Sequence, residues 1–171
     1  IGPIRKSEMT KDAIAKKIQD LPLKHNDGKP VYSVFTNCTY DGLCYNSAKV
    51  EKILAESCDR IHCDEAWYGY ARFNPMYEDH YAMRGDPARH QGPTVFATHS
   101  THKLLNALSQ ASYIHVRNGK GAIDFDRFNQ AYMLHSTTSP LYAICASNDI
   151  SSMMMYRSGE SLTTEVIEEA V

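Results

Sequence analysis

The sequence predicts an α/β fold, a mostly parallel sheet with flanking helices, and three observations carry that prediction. Short β-branched and aromatic runs alternate with stretches whose apolar residues recur at helical spacing. The first strand, loop, helix and strand succeed one another over the length of a βαβ crossover, which joins neighbouring parallel strands by a right-handed connection. Three groups of polar and charged residues follow directly on strands, where sheets of this class place ligand sites.

In chain order, Ser7-Glu8-Met9 leads into Thr10, a suitable N-cap for a helix in which Ile14, Ile18 and Leu21 share one face and which ends near Leu21-Pro22. Asn26-Asp27-Gly28-Lys29-Pro30 is turn-forming, and Val31 to Thr36 reads as a buried strand closed by the loop Asn37-Cys38-Thr39-Tyr40-Asp41-Gly42. Asn46 or Ser47 caps a second helix with Val50, Ile53 and Leu54 at helical spacing, and Arg60-Ile61-His62-Cys63 is a second strand. Tyr68 to Pro93 shifts to aromatic, Arg, His and Pro residues without a clean period, a partly helical excursion of the kind that carries function. Thr94 to Thr98 makes a third strand, Leu104 to Gln110 a short helix and Ser112 to Arg117 a fourth strand; the gap between these strands is short for a parallel crossover and admits an antiparallel pairing. Helices are expected over Phe125 to Leu134, over Pro140 to Met155 with Pro140 in the first turn, and over Thr163 to Ala170.

The 171 residues are 43% hydrophobic and 22% charged, a globular composition that rules out disorder and collagen. Lys plus Arg number 18 against 20 Asp plus Glu, and the formal net charge of −2 gives no electrostatic case for nucleic acid or an anionic membrane. No apolar run approaches the roughly 20 residues of a transmembrane helix. Five cysteines, an odd set without a C-x-x-C pair, suit reduced thiols in a cytoplasm better than a disulfide framework. The chain opens at Ile1 without Met or a signal-peptide pattern and stops inside an expected helix, so it reads as a piece of something larger.

The strand-end groups are Thr39-Tyr40-Asp41-Gly42, Asp64-Glu65-Ala66-Trp67 and His99-Ser100-Thr101-His102-Lys103. Lys103, preceded by His102 and followed by Leu104-Leu105, stands where partial burial would favour a nucleophilic amine, although a surface lysine at a helix start has the same local sequence. Asp64 alone is equally compatible with capping a turn. As a pair they are more specific. A lysine that forms a Schiff base with pyridoxal phosphate needs an aspartate to keep the pyridine nitrogen protonated, because the pyridinium is what drains electrons from a substrate carbanion. At about 4 Å and an effective dielectric near 20, that aspartate and the pyridinium attract by roughly 4 kcal/mol.

The stretch from Asp64 to Asn118, with Asp-Glu-Ala-Trp, Ser-Thr-His-Lys-Leu-Leu and Leu-Ser-Gln-Ala-Ser-Tyr-Ile-His-Val, resembles the bacterial ornithine, lysine and arginine decarboxylases, pyridoxal-phosphate enzymes of fold type I, and is most like their acid-inducible, arginine-specific members. The likeness extends to Asn37 through Gly42 and to His135-Ser136-Thr137-Thr138-Ser139-Pro140. It implies a segment, residues 1–171, of the large domain that binds pyridoxal 5'-phosphate. Lys103 is then the Schiff-base lysine and Asp64 the partner of the pyridine nitrogen. Ser100 and His102 lie at the cofactor phosphate, with His102 also a proton donor. Trp67 and Ala66 flank the ring, core packing being the alternative for Trp67. Thr137, Thr138 and Ser139 reach the phosphate of a neighbouring subunit, a role compatible with capping a helix ahead of Pro140. The resemblance further implies L-arginine as substrate, agmatine and carbon dioxide as products, proton consumption that serves acid resistance, and a homodimer that builds a higher homo-oligomer, a decamer in the family. The upstream phosphate loop, a histidine stacked on the ring and the C-terminal small domain are not found in these residues.

Other sites are weaker. His99 and His102 with Cys63 or Asp64 lack the spacing of structural zinc, and no metal is expected. Gly119-Lys120-Gly121 is too short for a phosphate loop, Met153-Met154-Met155 reads as helix packing, and Glu165, Glu168 and Glu169 read as a solvated face. A lysine or ornithine decarboxylase would share Asp64 and Lys103 and differ in the stretch from Tyr68 to Phe73. A noncatalytic assembly fragment is the rival from another class.

Overall fold

The structure is a computed structural model that describes residues 4–22, 30 and 32–171. Helix α1 (Lys11–Gln19) begins where the Thr10 hydroxyl accepts from the Ala13 amide, as its sequence requires. The expected turn around Asn26 and the first residue of the expected strand, Val31, lie outside the described residues. Strand β1 (Ser33–Thr36) is followed by α2 (Ser47–Leu54), whose N-cap Asn46 accepts from the Lys49 amide at 2.9 Å. Strands β2 (Arg60–Asp64) and β3 (Thr94–His99) bracket the excursion, which contains three short 3-10 turns at Ala71–Phe73, Pro75–Tyr77 and Pro87–Arg89. A one-turn helix α3 (Thr101–Leu104), strand β4 (Tyr113–Arg117), α4 (Phe125–His135) and α5 (Tyr142–Glu169) complete the chain.

The sheet order is β1-β2-β3-β4, with β1 and β3 both parallel to β2 and β4 antiparallel to β3. This is the mixed sheet that the short connection before β4 admits. Side chains alternate between the two faces of each strand. Ile61 and Cys63 of β2 and Val95 and Ala97 of β3 point to the core, where Met9, Phe35, Val50, Leu54, Cys58 and Ala82 meet them. His62 and Phe96 point the other way, and Phe96 stacks on Phe128 of α4. At the far edge, Glu51 of α2 receives Arg84 of the excursion and Arg117 of β4, each at 2.7 Å, and this largely buried cluster ties three elements together.

Four local expectations are corrected. β1 is not buried on both sides: Val34 is 54% exposed because the strand forms a sheet edge whose outer face nothing described covers. The helix expected from Leu104 to Gln110 is instead the single turn Thr101–Leu104, ended by extended backbone at Leu105; Gln110 takes a positive φ of 75° in the loop that follows. The two C-terminal helices are one. Ser151, Met155, Gly159 and Thr163 form a continuous buried stripe of α5, and Asn74 donates to the Thr163 and Thr164 hydroxyls at 3.2 Å, so packing carries the helix through Arg157-Ser158-Gly159. Its first residue is Tyr142, so Pro140 is outside the helix and none of Thr137, Thr138 and Ser139 caps it; the Thr137 hydroxyl accepts instead from the Ser139 amide at 3.1 Å.

Candidate active site

Parallel pairing brings the ends of β2 and β3 level. Asp64 is in register with Thr98, and Asp64 and Glu65, being consecutive, face opposite sides of the sheet. Asp64 is half-buried on the face of His62; its Oδ1 accepts from the Ala66 amide at 3.1 Å, which fixes the carboxylate while Oδ2 has no hydrogen-bond partner among the described residues. The Ser100 amide donates to the Ala66 carbonyl at 3.3 Å, joining the turn after β2 to the head of α3. Lys103 then comes back over that turn, its Nζ 5.1 Å from the centre of the Trp67 ring, a cation–π contact. Asp64, Ala66, Trp67, Ser100 and Lys103 thus share one corner of the sheet.

His102 joins them from the same turn of helix. Its Nδ1 is 2.8 Å from the Ala111 carbonyl oxygen, which can only accept, so Nδ1 carries the proton and Nε2 is the ring atom left to exchange one. Tyr40, from the loop after β1, stands edge-on to Trp67 at 5.2 Å and brings the third strand-end group to the same place. Thr137, Thr138 and Ser139 are not part of this corner. They lie exposed between α4 and α5, and no hydrogen bond among the described residues links them to it.

Lys103 departs from one expectation: it is exposed rather than partly buried. It is the third residue of a single helical turn at the sheet margin, and of the aromatic rings described only Trp67 lies beneath its ammonium.

Glu65 is the residue that sequence reasoning passed over. It is fully buried, its Oε1 accepting from Asn37 Nδ2 and the Ala82 amide, both at 2.7 Å, and its Oε2 accepting from His99 Nε2 at 2.9 Å. The signal was present, because Ile61, Cys63 and Glu65 continue one alternating face and an acid on a buried face must be paired. His99 in turn packs on His115 with ring centres 4.8 Å apart, and burial, then the charge of His99, hold His115 below its usual pKa. On the opposite face burial likewise lowers His62, against the opposing pull of Asp64.

The donor set fits pyridoxal phosphate. A fixed carboxylate whose second oxygen has no partner among the described residues suits a protonated ring nitrogen, a lysine amine in the turn after the adjacent strand suits its aldehyde, and the Ser100 hydroxyl caps nothing among the described residues. The indole Nε1 of Trp67 is buried and without a partner among the described residues, as befits a donor whose acceptor is a bound group.

The α/β corner so assembled sets a half-buried carboxylate at the end of β2 and a lysine in the helical turn that follows β3. The chain belongs to the Orn/Lys/Arg decarboxylase family, matching the family's major-domain model over residues 1–171. It is 67% identical over its whole length to the biodegradative arginine decarboxylase of Escherichia coli K12, of which it covers 23%, and 32% identical over 98% of its length to the constitutive ornithine decarboxylase of the same organism, of which it covers 25%. Among solved structures, lysine decarboxylase A from Pseudomonas aeruginosa superposes with a TM-score of 0.90 at 49% identity, covering 99% of this chain and 23% of that one. The E. coli constitutive lysine decarboxylase gives 0.84 at 40% identity, with 99% and 22% covered. The chain therefore spans about a quarter of the length of these relatives.

Proposed function

We propose that this chain is the part of the large domain of a pyridoxal-phosphate-dependent decarboxylase that holds the ring nitrogen and the attachment lysine, and that its substrate is L-arginine, released as agmatine and carbon dioxide. The observation that carries the reading is the shared corner of Asp64, at the C-terminal end of β2, and Lys103, in the turn after the adjacent parallel β3, joined by the Asp64–Ala66 and Ala66–Ser100 hydrogen bonds and by the contact of Lys103 with Trp67. Arginine is preferred because identity is 67% to the biodegradative arginine decarboxylase against 49% to the Pseudomonas aeruginosa lysine decarboxylase and 32% to the constitutive ornithine decarboxylase.

Bound at this corner, pyridoxal phosphate supplies an electron sink for the carbon that loses its carboxylate. Asp64, with Oδ1 held by the Ala66 amide, keeps a proton on the ring nitrogen through its other oxygen. Lys103 would supply the amine that anchors the cofactor, and it or His102 Nε2 would return a proton to the substrate carbon. That return consumes one proton per turnover, the basis for a role in acid resistance. Ser100, and His102 when Nε2 carries a proton, would donate to the phosphate, Trp67 and Ala66 would line the ring, and Thr137, Thr138 and Ser139 would serve a second subunit of a homodimer, itself the unit of a higher homo-oligomer in the cytoplasm.

Alone, the 171-residue segment is expected to turn over little or no arginine, since the remaining phosphate contacts, worth roughly 1.5 to 3 kcal/mol each, come from other parts of such an enzyme. The test uses the full-length protein. The parent should show a borohydride-reducible visible band at about 420 nm and form agmatine, Lys103→Ala should lose the band and several orders of magnitude in turnover, and Asp64→Asn should bind cofactor more weakly and react far more slowly. Near-parental turnover by Lys103→Ala overturns the reading, and cadaverine or putrescine in place of agmatine replaces the substrate.

A further inference from the structure

Cys38 and Cys44 meet across the turn that carries Tyr40. They form an isolated antiparallel bridge. The Thr39 amide donates to the Leu43 carbonyl at 3.0 Å on one side of the pair, and the Tyr45 amide donates to the Asn37 carbonyl at 3.2 Å on the other. Neither bond is made by the cysteines themselves, so they oppose each other as a non-hydrogen-bonded pair, with Cα atoms about 4.5 Å apart and side chains on the same face. Disulfides span Cα separations of about 4.4 to 6.8 Å, and this pair stands at the short end of that range. The two thiols also feel one another: burial first, then the hydrogen bond and charge of Cys44, push the Cys38 thiol up to about 12. Cys44 is exposed and Cys38 half-buried.

We propose that Cys38 and Cys44 are a modification site, a thiol pair that low-molecular-weight disulfides such as oxidised glutathione convert to an intramolecular disulfide. Exposure sets the order of events. The Cys44 thiolate attacks one sulfur of glutathione disulfide, forms a mixed disulfide and expels one glutathione thiolate. The Cys38 thiol then gives its proton to solvent and attacks Cys44 Sγ, forming the Cys38–Cys44 bond and expelling the second glutathione thiolate. Two protein thiols are oxidised, one glutathione disulfide is reduced, and the two protons end on the two glutathiones. Once Cys44 is in the mixed disulfide its sulfur can no longer carry a negative charge beside Cys38, which eases loss of the Cys38 proton. The second step is also intramolecular, so it runs at a high effective concentration. In a reducing compartment such a bond is transient, which suits a reversible modification rather than a structural staple. The bond closes the turn that holds Tyr40 against Trp67.

The experiment treats the full-length protein with millimolar glutathione disulfide, quenches in acid, alkylates with N-ethylmaleimide under denaturing conditions and digests with trypsin. Both cysteines fall on one tryptic peptide. The expected product is that peptide lighter by two hydrogens, carrying neither maleimide nor glutathione and restored by dithiothreitol. Alkylation at Cys38 should fall about tenfold or more while that at the buried Cys58 and Cys63 is unchanged. Cys38→Ser should stop at the glutathione adduct on Cys44, and the exposed-site variant Cys44→Ser should leave Cys38 open to alkylation. A stable glutathione adduct on Cys44 of the parent, or full alkylation of both cysteines under conditions in which an added cysteine peptide reacts completely, overturns the proposal.

Discussion

Replacing Glu65 by alanine should release the Ala82 amide, and the size of the effect follows from its hydrogen bond. That amide sits in the excursion, far from any regular ladder, and donates at 2.7 Å to a carboxylate oxygen that is itself fully buried. A hydrogen bond to a charged acceptor contributes about 1.5 to 3 kcal/mol, and each 1.4 kcal/mol is tenfold in the opening equilibrium, so exchange of this amide should quicken roughly ten- to hundredfold. Glu65→Gln keeps an acceptor for Asn37 and Ala82 and loses the charge, so its effect should be several-fold at most. Hydrogen–deuterium exchange followed by mass spectrometry of peptides covering Ala82 reads both variants against the parent. Unchanged protection in Glu65→Ala, or equal effects in the two variants, would mean that the carboxylate is not what holds the excursion to the strand end.

Three further perturbations test other parts of the frame. Glu51→Ala leaves Arg84 and Arg117 without their shared, largely buried acceptor and should cost about 3 to 5 kcal/mol, seen as a lower midpoint in chemical denaturation; a loss below 1 kcal/mol would show that the cluster is solvated. Gly159→Ala gains about 1 kcal/mol of helix propensity but sets a Cβ 2.8 Å from Phe73 Cβ and Cγ, an overlap of the kind that costs about 1 to 3 kcal/mol, so the net change should be destabilising, and a higher melting temperature would refute the close approach. His115, facing His99, Glu65 and Tyr113, binds its proton less readily folded than unfolded; its contribution is complete above about pH 6.5 and declines as pH falls through the lower folded value. His115→Gln should flatten the acid limb of a stability-against-pH curve, and an unaltered limb would remove the histidine from the account.

How much of this was legible in the sequence depended on whether the deciding contact was local. Thr10 and Asn46 cap helices because their side chains reach amides three residues on, and the run from Thr94 to Thr98 pairs because β-branched and aromatic residues suit a pleated surface; both signals are complete within a few residues. The joined helix α5 was not legible, since Gly159 reads as a weak point until Phe73, eighty-six residues earlier, is seen to need its missing Cβ. The exposure of Val34 depends on which strand lies at the edge, a fact of topology that no periodicity contains. The strand-end groups that hold Asp64, Trp67, Ser100, His102 and Lys103 are legible from position, the roles of Trp67, Ser100 and His102 only from likeness, and the fold sets these groups at one corner. The residues 137 to 139 were named from likeness alone, and nothing in this chain's own packing draws them to the corner.

Glu65 also explains why Asp64 is available. With a side-chain period of two, a slip of one residue in β2 against β3 would turn Asp64 into the core and Glu65 out to the other face, exchanging two acids that the backbone ladder itself does not distinguish. What distinguishes them is the set of partners on the core face. Asn37 leaves β1 with its own amide on the Asp64 carbonyl at 2.8 Å and its side-chain amide on Glu65, while His99 closes β3 on the same carboxylate. Three donors from three segments converge on Glu65, and in the slipped register the buried Ala82 amide would lose its acceptor while Asn37 kept only the His80 carbonyl. The partners of the buried acid favour this register, and the register puts the neighbouring acid beside Lys103's turn, so the proposed cofactor corner is positioned in part by a residue that faces away from it.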